Sequence, residues 1–111
     1  MPKVYKHISI QFLTQGCGPE ERYAQVRQDE NQMVLSISRQ PSLEPVTFLV
    51  HGKKVEHFFA GVDSLKNPIP VKVIARWALI GDEYIGRWIE DGVEYLFSFR
   101  LPRVSIARGR T

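Results

Sequence analysis

Alternation with a period of two runs through most of this chain. In KVYKHISIQF, residues 3–12, Val4, Ile8, Ile10 and Phe12 fall on one face and His7, Ser9 and Gln11 on the other, as in a half-buried strand. The pattern is sharpest towards the carboxyl end. Asp91-Gly92 reads as a type I′ hairpin turn, because both central positions of that turn need positive φ and Asp and Gly tolerate it best. That turn pairs Glu90 with Val93, Trp88 with Tyr95, Gly86 with Phe97 and Tyr84 with Phe99. Gly81-Asp82 suits a type II′ turn and pairs Leu79 with Tyr84, Trp77 with Gly86 and Ala75 with Trp88. The two registers agree. They place Val73, Ala75, Trp77, Leu79, Tyr84, Trp88, Val93, Tyr95, Phe97 and Phe99 on one face, with Gly86 between two aromatics that can cover its bare backbone.

Upstream, VTFLVHGKKVEHFFAG reads as a further hairpin about His51-Gly52 or Gly52-Lys53, with Val46, Phe48, Val50, Val55, His57 and Phe59 on one face. RYAQVRQ and QMVLSIS alternate as strands joined through DEN, although Pro19 followed by Glu20 and Glu21 also permits a short helix over 19–29; the strand reading is preferred. Turn formers cluster at QGCGPEE, RQPSLEP and VDSLKNPIP. About eight strands result, near 4–13, 22–28, 33–39, 46–51, 54–60, 71–80, 83–90 and 93–101. The expected fold is all-β: an antiparallel meander closing into a small up-and-down β-barrel, because closure removes the edges and supplies one inside face for the rings. Strand count and length resemble those of calycins and of avidin-like barrels, in architecture alone. Such a resemblance implies a fold and not an activity, and no ligand residue carries over.

Composition fits this picture. The chain has 111 residues, enough for one core without disulfides or metals. A single domain over residues 1–101 followed by a flexible basic tail, 102–111, is expected. The net charge is +3, but without Arg103, Arg108 and Arg110 of the tail the basic and acidic residues balance, so attraction to polyanions would reside in the tail. No apolar run reaches the length of a membrane span, the amino terminus lacks a secretory apolar region, and the single Cys17 suits a reducing compartment; a cytoplasmic location and no membrane partner are expected.

Candidate chemistry is sparse. The inward rings are either plain core or the wall of a ligand cavity in which Trp77, Trp88, Tyr84, Tyr95 and the inward His57 orient a small apolar or aromatic molecule. The outer face holds Arg76 opposite Arg87, with Arg100 nearby, a candidate anion site unless Glu94 and Glu83 neutralise them. Ile74, Ala78, Ile85, Ile89 and Leu96 cluster on that same face as a candidate homodimer interface. His7, His51 and His57 show no metal-ligand spacing, so neither metal nor cofactor is expected. Cys17 in GCGP could act as a nucleophile only beside a base, a cation or a helix amino terminus, none of which the sequence guarantees, so it reads as a loop thiol, and no catalytic motif is present.

The expected function is therefore a non-enzymatic β-barrel binding protein that self-associates through the aliphatic patch. Two other classes stand beside it. One is a nucleic-acid-associated accessory protein using the tail and the outer arginines, weak because rings and arginines lie on opposite faces. The other is a small enzyme with its site inside the barrel at His57.

Overall fold

The computed structural model describes residues 3–16, 18–44, 46–55, 58–63 and 72–102. Eight strands follow in chain order: β1 (Lys3–Leu13), β2 (Glu20–Gln28), β3 (Gln32–Ser38), β4 (Phe48–Val55), β5 (Phe58–Asp63), β6 (Val73–Ile80), β7 (Glu83–Glu90) and β8 (Val93–Phe99). Each pairs antiparallel with the next, and β8 returns to β1, so the meander is a closed barrel with no helix among the described residues. The segment 20–28 is strand, and Asp29 closes the turn that follows it by accepting hydrogen bonds from the amides of Asn31 and Gln32.

The last three strands have the register that their turns predict. Trp88 faces Tyr95, Gly86 faces Phe97, Trp77 faces Gly86 and Arg76 faces Arg87. Asp91 and Gly92 both have positive φ, at 50° and 81°, as a type I′ turn requires. Gly81, at 68°, supplies the positive first position of the β6–β7 turn.

The interior is filled by its own side chains, as suits eight strands. Phe12, Phe48 and Phe97 approach the Trp88 ring edge-on at 5.2 to 5.7 Å between centroids. Phe59 stacks on Trp77 at 5.9 Å, and Tyr84 on Phe99 at 5.1 Å. Both indole N–H groups are satisfied: Trp77 Nε1 donates to Met33 Sδ at 3.2 Å and Trp88 Nε1 to Glu90 Oε1 at 2.9 Å. Ile10, Val26, Leu35, Ile37 and Val50 complete the packing.

Four expectations need correction. The hairpin placed at His51-Gly52 or Gly52-Lys53 does not exist: β4 runs straight through both positions to Val55, which pairs with Phe58. Gly52 is a strand residue that makes room, since a Cβ there would overlap the Trp77 ring. Val55 is consequently exposed, as is Val46, which lies ahead of β4. Val4 is also exposed, at 51%, because the β1–β2 register shifts between Tyr5 and Ile8, where His7 has a φ of 61°. That irregularity turns Tyr5 towards the core in place of Val4. Finally, Leu79 and Val93 share the inward register yet are exposed, because each lies at a strand end, beyond the last packed ring. The residues assigned to a basic tail, from 103 onward, lie outside the described residues, as does Cys17.

Candidate functional site

The meander gives the barrel two unlike ends. The ends of β1, β3, β5 and β7 and the starts of β2, β4, β6 and β8 lie at one, which we call the loop end. The other, the turn end, has among the described residues the short connections 29–31 and 81–82, together with the start of β1 and the exit of β8.

At the loop end β2 continues its inward phase, Val26 and Ala24, back to Arg22. Arg22 is 2% exposed. Its Nε donates to Glu20 Oε2 at 2.7 Å and its Nη1 to Glu90 Oε1 at 2.9 Å. The guanidinium carbon lies 4.4 Å from the centre of the Phe12 ring, 5.7 Å from that of Phe48 and 5.9 Å from that of Tyr95. Burial by itself would weaken the Arg22 charge, but the hydrogen bonds to Glu20 and Glu90 and the negative charges of both together outweigh it and hold its pKa above the ordinary value. Because Glu90 also accepts from Trp88, charge network and core are one structure that stoppers this end.

The turn end is different. Between the start of β1, the end of β2 and the β6–β7 turn lies a depression of about 490 Å³, whose walls include Tyr5, Gln28, Leu79 and Tyr84, with Lys3, Asp82 and Arg100 at its rim. A second depression, of about 430 Å³, adjoins it across Gln28, Leu79 and Tyr84 and reaches Phe59. Leu79 is 54% exposed, an apolar side chain facing the opening with nothing over it among the described residues. Gln28 Nε2 donates to the Tyr84 hydroxyl oxygen at 3.1 Å. Burial raises the Tyr84 pKa; the Gln28 hydrogen bond opposes this in part and the nearby Tyr5 adds to it, so the phenol keeps its proton at neutral pH.

The candidate ligand residues are therefore distributed as follows. Trp77 and Trp88 lie in the packed centre, Tyr84 at the turn end, and Tyr95, half-buried, against Phe12 at the loop end. His57 lies outside the described residues. Of the candidate anion residues, Arg76 and Arg87 are cross-strand neighbours on the outer wall, and Arg87 Nε lies 3.4 Å from Glu94 Oε2. Arg100 stands apart, at the turn-end rim, 4.0 Å from both Asp82 and Glu83. The aliphatic candidates form two cross-strand pairs, Ile74 with Ile89 and Ala78 with Ile85, which flank the arginine pair, while Leu96 sits opposite Leu13 across the β1–β8 junction. Among the described residues no three His, Cys, Asp or Glu side chains converge as a metal site would need.

Three contributors escape a reading of the sequence by motif. Arg22 was visible only through its phase, in step with Ala24 and Val26, which demands a partner for a charge turned inward. Gln28 shares that phase. Lys3 has no signal of its own; it joins the site only because the barrel closes. No protein-family model matches the sequence, and no curated protein matches it.

Proposed function

We propose that this protein is a non-enzymatic binding barrel that takes a small ligand at its turn-end mouth and self-associates through the outer face of β6–β8. The observation that carries the reading is the contrast between a centre filled around Trp77 and Trp88 and a mouth where exposed Leu79 meets Tyr5, Tyr84 and the Gln28 amide. Apolar walls with a few convergent polar groups are what small-molecule sites share. Self-association is supported by Ile74 and Ile85, both large, aliphatic and exposed on one wall. Stacking on nucleobases is disfavoured, since the rings face inward and the Arg76–Arg87 pair outward.

Amide chemical-shift mapping with a library of small aromatic compounds tests the binding reading. Shifts should centre on residues 3–5, 28 and 79–84. Shifts centred on the loop end, or none from any compound, would refute it. For self-association, light scattering should give more than one subunit for the native chain and one for Ile85→Lys or Ile89→Lys; a monomeric native chain at high concentration removes that part.

A further inference from the structure

We infer that the ligand of the turn-end mouth is a small aromatic anion, its ring against Leu79, Tyr5 and Tyr84 and its charge towards Lys3 and Arg100. The inference rests on the reading of this mouth as the binding site and adds the chemistry of what enters it.

The first argument is a surplus of hydrogen-bond donors. Tyr84 is 7% exposed and accepts from Gln28, and its own hydroxyl hydrogen has no acceptor among the described residues. Should the Gln28 amide be turned the other way, Tyr84 donates to it and an amide N–H is left without an acceptor instead. In either arrangement one donor of the Gln28–Tyr84 pair is left over at the wall of the depression, where an incoming acceptor can take it. The raised Tyr84 pKa keeps that donor protonated.

The second is charge. The lining of the depression of about 490 Å³ carries Lys3 and Arg100 against the carboxylate of Asp82, whereas the adjoining one has Asp29 and Glu30 against Lys54, so the positive charge is confined to the first. Lys3 makes no ion pair among the described residues. Arg100 touches Asp82 and Glu83 only at 4.0 Å, well beyond the roughly 2.7–2.9 Å of a charge-assisted hydrogen bond. Its side chain is 66% exposed, so these pairs hold it weakly. An incoming carboxylate can recruit it at little cost.

The third is shape. The Tyr84 ring lies flat on Phe99, 15° from parallel, and is fixed by it. With Tyr84 held firmly behind them, Leu79 and half-buried Tyr5 offer the apolar surface to a planar partner. The volume of about 490 Å³ suits one or two fused rings and not an extended chain.

Calorimetry with 2-naphthoate, its neutral amide 2-naphthamide, and acetate tests the inference. Naphthoate should bind at least tenfold more tightly than either of the others. Lys3→Met and Arg100→Met should each bring naphthoate towards the amide and leave the amide unchanged, whereas Leu79→Asp should weaken both. Equal binding of naphthoate and naphthamide would overturn the anion and leave the mouth as a binding site. Equal binding of naphthoate and acetate would overturn the aromatic part. No binding by any of the three, or binding unmoved by Leu79→Asp, would overturn the site itself.

Discussion

The two ends of the barrel solve the same problem in opposite ways. Each must close off a column of rings with polar groups. At the loop end the polar groups serve one another: Arg22 joins Glu20 and Glu90, Glu90 holds Trp88, and three rings surround the guanidinium. At the turn end the groups are left with spare valence: one hydrogen bond joins Gln28 to Tyr84, Leu79 is open and Arg100 is loosely held. A saturated end stabilises the fold, and an unsaturated one is available for recognition.

The strongest test of this contrast is Arg22→Met. It strands Glu90, which lies against the core, and should cost about 3–5 kcal/mol in urea unfolding, whereas Leu79→Asp at the opposite end should stay within about 0.5 kcal/mol. Adding Glu90→Gln to Arg22→Met should recover much of the loss, because the uncompensated charge is then gone. Equal costs at the two ends would dissolve the comparison. Next in size is Gly52→Ala, aimed at the packed layer between the ends. The added methyl meets the Trp77 ring and should cost about 1–3 kcal/mol, with a shift in the Trp77 emission.

A smaller effect concerns pH. Tyr84 has a raised pKa in the folded state, so its contribution is complete below the ordinary tyrosine value of about 10 and is lost as pH climbs through that value and beyond. Between pH 9 and 11 the native protein should therefore lose more stability than Tyr84→Phe, as measured by thermal melting. Parallel curves would mean that the Tyr84 proton is not tied to folding.

How far the sequence discloses all this depends on which signals are local. The β6–β8 register was legible because Asp91-Gly92 and Gly81 each fix a turn by backbone conformation alone. Gly52 misled for the converse reason: a glycine needed for space looks the same in a sequence as one needed for a bend, and only the distant Trp77 tells them apart. The His7 irregularity likewise leaves the alternation looking regular while shifting its phase. Of the turn-end lining only Tyr84 and Arg100 belong to candidate sites legible in the sequence, and to two different ones, because Lys3 and Gln28 meet Leu79 only after the strands have come full circle.

That circle closes on very little. The junction of β1 with β8 comprises four residue pairs among the described residues, Ile10 with Phe99 through Leu13 with Leu96, against eight between β6 and β7. Every other adjacency joins strands consecutive in the chain. The consequence is one of timing: hairpins can form early from nearby residues, whereas this meeting must bring together segments some eighty-six positions apart, and we expect it to be the late, slow event of assembly. Ile10→Val should then slow refolding in stopped-flow measurements; an unchanged refolding rate with faster unfolding would place the closure after the barrier.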